Sequence, residues 1–309
     1  MKNFWFKLKK PILALAPMAG ITDSAFRQIC RKYGADVVYS EMASASALFF
    51  KPAKTLELVR FNKKEQPYIV QLFGKDPEHF AKAARIITKK IKCDGLDINF
   101  GCPAKKVFSH GSGCALMPNI ELAREIISAV CENTNLPVSI KIRAGVKNFD
   151  ALEFIEKTKD LPYSAVMIHG RTYEGGFSGA VDWKIISEIK KIIPDKIVLG
   201  NGGILTSKNA REIFEKYPNI DGLGIARGAW GKPYIFDEIK TAQIYNFKKI
   251  KKIMLKHAEL IWRDKKELGM FEIRKHLAWY IKGFPGAAEL RKKLVRAESV
   301  EEIKEILNC

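Results

Sequence analysis

The chain has 309 residues, of which 47% are hydrophobic and 28% charged, and it carries a formal net charge of +19. Such a length holds one large domain plus a smaller one with an ample core, and the composition is that of a globular protein. No apolar run reaches the length of a membrane span, and the six cysteines (Cys30, Cys93, Cys102, Cys114, Cys131 and Cys309) form no Cys-x-x-Cys pair, which excludes a local zinc ribbon or ferredoxin-type cluster.

At the N-terminus Lys2, Lys7, Lys9 and Lys10 precede the apolar stretch Ile12–Ala19 in the manner of a signal peptide. The run is short, Pro17 interrupts it, and cleavage near Ala16 would remove a strand the fold needs, so the expected place is the cytoplasm. Scattered cysteines suit that reducing compartment. Ile12–Ala19 is the first of eight predicted strands; Val37–Met42, Tyr68–Phe73, Gly95–Phe100, Val138–Arg143, Ala165–Gly170, Ile197–Gly202 and Gly222–Arg227 follow. Between them lie amphipathic helical patterns at Ser24–Tyr33, Pro77–Ile91, Ile120–Cys131, Ala151–Thr158, Trp183–Ile192 and Ser207–Tyr217. Asp76 before Pro77 reads as an N-cap with proline at the first helical position.

Eight strand–helix units indicate an α/β chain folded as a (β/α)8 TIM barrel, here over residues 1–242. A doubly wound open sheet would carry a glycine-rich dinucleotide fingerprint after the first strand, and Pro17-Met18-Ala19-Gly20 is not one. Residues 243–309 read as a small C-terminal all-α helical domain, with Ile253, Leu260 and Ile261 on one face and Lys252, Lys256 and Lys266 at more polar positions. The basic excess is densest there, at 16 Lys and Arg against 9 Asp and Glu in residues 241–309. A field of that sign attracts polyanions, nucleic acid first among them.

Nearly every predicted strand ends on a group that hydrogen-bonds or ionises: Glu41, Gln71, Asn99, Lys141 with Arg143, His169, Asn201 and Arg227. Active sites of such barrels lie at the carboxyl ends of the strands. Lys141 and Arg143 alternate with Ile140 and Ile142 and so point to one face. A lysine there stabilises an anion or, alternatively, forms a Schiff base. Strands seven and eight run into Asn201-Gly202-Gly203-Ile204 and Ala226-Arg227-Gly228, where free backbone N–H groups and an arginine suit a phosphate-bearing cofactor. In Asp97-Ile98-Asn99-Phe100-Gly101-Cys102-Pro103 a strand enters a tight turn that holds out Cys102 as a proton carrier or nucleophile. No metal-ligand cluster is written in the sequence.

These motifs, with Ala16-Pro17-Met18-Ala19-Gly20-Ile21-Thr22-Asp23, Gln71-Leu72-Phe73-Gly74, His169-Gly170-Arg171-Thr172 and, in the tail, Arg274-Lys275-His276 and Trp279-Tyr280-x-Lys282-Gly283, resemble in order and along the whole chain the tRNA-dihydrouridine synthases, a family of FMN-dependent enzymes. The resemblance implies FMN on Pro17, Met18 and Ala19, with Gln71, Lys141 and His169 around the ring and Asn201, Gly202, Gly203, Ala226 and Arg227 at the phosphate. It implies reduction of the flavin by NADPH or NADH, hydride transfer to C6 of a uridine in tRNA, and protonation of C5 by Cys102. Asn99 and Arg171 are expected at the base edge, the helical tail on the tRNA body, and the protein as a monomer. Gly203 stands where the family often has an acidic residue, and Ala226 where it often has glycine.

Overall fold

A computed structural model describes residues 3–308. Lys2 of the N-terminal lysine group and Cys309 lie outside the described residues. Eight parallel strands close into a barrel: β1 (Ile12–Leu15), β2 (Val37–Ser44), β3 (Tyr68–Phe73), β4 (Gly95–Asn99), β5 (Val138–Val146), β6 (Ala165–Thr172), β7 (Ile197–Asn201) and β8 (Gly222–Ile225). Each pairs with its chain neighbour, and β8 returns to β1 through Ile12↔Gly222 to Leu15↔Ile225. Gly222 permits that closure, since a Cβ there would fall 2.0 Å from the Ile12 carbonyl oxygen.

Strand periodicity divides the core in two. Leu13, Leu15, Val38, Val70 and Ile140 pack outward under the helices, whereas Ile12, Ala14, Tyr39, Ile69, Met167 and Leu199 fill the barrel. A short 3-10 helix, Phe4–Lys7, places the fully buried Trp5 in this inner cluster. Carried one or two residues further, the same alternation delivers Gln71, Asp97, Asn99, Lys141, Arg143, His169 and Asn201 to the carboxyl end of the barrel. The polar layer is thus a consequence of strand register.

Element ends differ from the sequence reading for local reasons. β1 stops at Leu15 rather than Ala19, because Pro17 has no N–H and Thr22 then bonds Met18 in a turn (N to O 3.0 Å). β5 runs on to Val146 because Phe149–Asp150 folds back on it antiparallel, with a register shift between Arg143 and Gly145. β8 ends at Ile225, since Ala226 turns the chain into the 3-10 helix Arg227–Ala229. Asp76 caps the helix Pro77–Lys90 by accepting from the Glu78 and His79 N–H groups.

The C-terminal region is helical: Phe247–Tyr280, Ala287–Leu294 and Val300–Leu307. The first of these is broken at Lys266 (φ 50°, ψ −132°), and its halves fold back on one another. His257 meets His276 at 4.7 Å between ring centroids and Tyr280 Oη at 3.2 Å, and Gly269 lies so close to Ile261 that a Cβ would be 2.7 Å from its carbonyl oxygen. This region shares its core with the barrel. Ala25 and Ile29 of the helix Ser24–Lys32 join a cluster with Ile253, Ile261 and Leu277, and Phe26 stacks on His257 and packs at a tilt on His276. Among the described residues no helix is long and apolar enough to cross a membrane.

Candidate active site

A cavity of about 460 Å³ opens at the carboxyl end of the strands. Its lining includes Pro17, Met18 and Ala19 after β1, Gln71 on β3, Asn99 and Cys102 at the end of β4, Lys141 on β5, His169 and Arg171 on β6, and the turns Asn201-Gly202-Gly203 and Ala226-Arg227. Every residue singled out from the sequence as catalytic, cofactor-binding or substrate-binding therefore borders one space. Glu41 does not; it accepts a hydrogen bond from the Gly20 N–H on the rim.

Beneath the cavity runs a chain of hydrogen bonds. Asp97, fully buried, accepts from Ser139 Oγ at 2.5 Å and from Gln71 Nε2 at 2.7 Å. Gln71 Oε1 accepts from Asn99 Nδ2 at 2.9 Å, and Asn99 Oδ1 accepts from the backbone N–H groups of Gly101 and Cys102 at 3.0 and 2.8 Å. Arg143 holds the same turn from the other side, its Nε donating to the Gly101 carbonyl at 3.0 Å and its Nη1 to the carbonyls of Thr172 and Gly176. The thiol of Cys102 is thereby presented on a turn fixed at both peptide flanks, half-buried at the cavity wall. Asn99, read from the sequence as a base-edge contact, has both ends of its amide engaged inside the protein. Asp97, Ser139 and Phe177 were not singled out in the sequence; Asp97 was findable as the inward position two before Asn99.

Electrostatics follow from burial. Burial lowers Lys141 to about 8, with Arg143 adding to the drop and Asp97 opposing it. Burial raises Asp97 to about 6 against the pull of Gln71, Ser139 and Lys141. His169 is pushed down to about 2 by burial and then by Lys141, Arg143, Arg171 and Arg227, so it is neutral throughout the physiological range. Its Nε2 lies 3.4 Å from Arg171 Nη1, which suits an accepting nitrogen there. Lys141 has one hydrogen-bond acceptor, Asn201 Oδ1 at 3.4 Å, which leaves its other donors free for the cavity. Arg227 donates to the Phe177 carbonyl at 2.9 Å and is exposed at the mouth. The lining holds Lys141, Arg143, Arg171 and Arg227 and, among the described residues, no carboxylate; Asp97 lies below it.

Comparison with known proteins accords with this chemistry. A family model described as "Dihydrouridine synthase (Dus)" matches residues 14–309. The chain belongs to that family. Among curated relatives of this dihydrouridine synthase, tRNA-dihydrouridine synthase B of Pseudomonas aeruginosa is 34% identical over 94% of this chain and 89% of its own length. Probable tRNA-dihydrouridine synthase 1 of Synechocystis is 31% identical over 95% and 84%, and the probable tRNA-dihydrouridine synthase of Aquifex aeolicus 32% over 96% and 94%. A solved structure described as "Crystal structure of TcOYE with pHBA" shares the barrel at a TM-score of 0.54 and 11% identity, covering 77% of this chain and 92% of its own. That likeness is one of fold. The protein is thus an enzyme of the dihydrouridine synthase family, built as a closed eight-stranded barrel with a helical C-terminal region.

Proposed function

We propose that this enzyme reduces uridines of tRNA to 5,6-dihydrouridine, with FMN held across the barrel mouth and NADPH or NADH as the reductant. The observation that carries the reading is the Cys102 turn, a thiol held at the wall of a cationic cavity by Asn99 on one side and Arg143 on the other.

The residues present fit FMN. The cavity is of small-ligand size, Lys141 has unused donors facing it, and Gly202 and Gly203 both adopt positive φ (118° and 69°), which leaves bare backbone where a phosphate would approach. Pro17, Met18 and Ala19 would carry the ring, Gln71, Lys141 and His169 its edge, and Asn201, Gly202, Gly203, Ala226 and Arg227 the phosphate. Bound and reduced, the flavin supplies the hydride for C6 of the uracil ring.

The chain's own residues do the rest. Cys102 gives its proton to C5, which completes saturation of the 5,6 bond, and the thiolate is reprotonated from solvent. Lys141 offsets negative charge developing beside it. His169 offers a hydrogen bond without adding a further cation. Arg171 lies within reach of the base edge, and Asn99 serves that base through the turn it fixes. The reacting uridine leaves its stack to enter the mouth, while the basic helices of residues 243–309 hold the body of the tRNA. We place the enzyme in the cytoplasm as a monomer.

The test is Cys102→Ala. It should retain FMN and its reduction by NADPH, and form dihydrouridine in unmodified tRNA about 10²–10⁴-fold more slowly. Wild-type turnover in the variant would remove the thiol from the mechanism.

A further inference from the structure

A second feature of the mouth face lies away from the cavity, on the two elements that follow β2 and β3. The helix Ala45–Phe50 begins at the carboxyl end of β2, and the helix Pro77–Lys90 shortly after the end of β3. Their first turns are tied together by a Ser46 Oγ···His79 Nδ1 hydrogen bond of 3.0 Å. Lys82 Nζ stands 4.2 Å from the Phe49 ring centroid, and the His79 ring centroid lies 4.3 Å from it. Phe50 packs edge-on against Phe49 and His79 and is 68% exposed. An aromatic ring this open, held in place by two others, leaves ring surface for an incoming partner. Isolated exposed apolar residues are ordinary; a rigid aromatic pair bearing a lysine over one ring is the composition of a base-stacking surface.

The charges around it select the occupant. Lys51 and Lys54 are exposed just after Phe50 in the chain and Lys82 stands over the neighbouring Phe49 ring, while Glu78 is exposed next to His79 and Glu57 is paired with Arg60. Lys75, exposed two residues before the helix that carries His79 and Lys82, lies against Gly111 of the loop that follows Cys102. An apolar protein partner would not call for these lysines, whereas a phosphate backbone would.

We propose that Phe49, Phe50, His79 and Lys82 form a platform on which an unpaired nucleotide of the RNA substrate stacks, separate from the cavity that takes the reacting base. This rests on the reading of the substrate as tRNA. Phe50 supplies the π-face, Lys82 and the neighbouring lysines neutralise the flanking phosphates, and the Ser46–His79 bond keeps the platform rigid.

The experiment measures affinity of the full-length, flavin-loaded enzyme for an unmodified tRNA transcript over a series of salt concentrations. Phe50→Ala should weaken binding about tenfold with the salt slope unchanged, and Phe50→Trp should restore it. Lys82→Gln should weaken binding and reduce the slope by about 1. Flavin content should stay at the wild-type level in all three. Wild-type affinity in Phe50→Ala, or loss of self-association in that variant with RNA affinity unchanged, would overturn the platform. If the wild-type enzyme bound no tRNA at all, the substrate reading itself would fall, and the platform with it.

Discussion

The Asn99 side-chain oxygen accepts the Cys102 backbone N–H at 2.8 Å and that of Gly101 at 3.0 Å, so one amide fixes the geometry of the turn that holds out the thiol. The amide is itself oriented by Gln71 at 2.9 Å, and Gln71 by the buried Asp97 at 2.7 Å. A strand end, a turn and a reactive group are linked in one line. On the proposed chemistry, this makes Asn99 a positioning residue for the Cys102 thiol.

Asn99→Ala should therefore separate the two half-reactions. Loss of the oxygen that accepts both N–H groups lets the thiol shift, and a displacement of about 1 Å costs about 10²-fold in rate. Flavin content and the rate of flavin reduction by NADPH should stay at the wild-type level, while oxidation of the reduced enzyme by tRNA slows by that factor. Stopped-flow absorbance reads both. Equal slowing of the two half-reactions would show that Asn99 acts on the cofactor instead.

Asp97 sets a pH dependence of stability. Its folded-state value is raised from 3.8 to about 6, so between these values the folded protein holds a proton that the unfolded chain has released. The stability it contributes is complete below about 3.8 and lost as the pH rises through about 6. At 1.36 kcal/mol per unit the swing is of the order of 3 kcal/mol. Asp97→Asn, which keeps the shape and cannot ionise, should lose less stability than wild type between pH 4 and 6.5 in urea titrations. Parallel curves for the two proteins would mean that Asp97 is ionised in the fold at all these pH values.

Much of this was legible because period-two alternation is a local signal. Lys141, Arg143, His169 and Asn201 lie on strands whose apolar positions are fixed by the same register, and the turns after β7 and β8 announce themselves through glycine. The role of Asp97 is not legible in its motif, because a carboxylate within an apolar run shows no partner until β3 and β5 bring Gln71 and Ser139 beside it. The break at Lys266 is hidden for a different reason: Lys-Lys-Glu-Leu-Gly contains no proline, and the residue there simply adopts a left-handed φ. The union of tail and barrel core depends on contacts more than 200 residues apart, such as Phe26 with His257, which no local pattern encodes.

Lys141 is held near 8 by burial and by Arg143, so it is charged at pH 7 and loses its charge as the pH passes about 8. A cation beside the flavin favours the reduced, anionic form. Lys141→Met should lower the midpoint potential of the bound flavin at pH 7, and the gap between the two proteins should narrow by pH 9 as wild type becomes neutral. Spectroelectrochemistry at both pH values gives the answer; identical potentials at pH 7 would place the ammonium away from the ring.

The shared core makes a claim about the helical region. Phe26 is fully buried, stacks on His257 at 5.6 Å and packs at a tilt on His276 at 4.9 Å, and Trp230 of the barrel stacks on Trp279 at 4.5 Å with an interplanar angle of 9°. Phe26→Ala should cost about 3–5 kcal/mol. Barrel and tail should unfold in one transition, followed by tryptophan fluorescence and far-UV circular dichroism together. A tail that melts first in the wild-type enzyme would show the two to be independent units.

Gly202 tests the phosphate turn. Its φ of 118° is one that residues with a side chain rarely adopt, and a Cβ there would stand 2.8 Å from His169 Cδ2, 3.1 Å from its Nε2 and 3.4 Å from Arg171 Nη1. Alanine therefore both strains the backbone and pushes the imidazole out of its place. At Gly203, with φ 69°, the nearest atom is Val181 Cγ2 at 3.2 Å, so alanine there adds strain with little displacement. Each substitution should lower stability by about 1–3 kcal/mol. Their effects on the cofactor should differ: Gly202→Ala should bind FMN about 10²-fold more weakly, because it disturbs the turn and the ring contact together, and Gly203→Ala should bind it several-fold more weakly. Calorimetric titration of the flavin-free proteins with FMN separates affinity from stability. If both variants are destabilised yet bind FMN as tightly as wild type, the Gly-Gly turn is only a bend in the chain and the phosphate is held elsewhere.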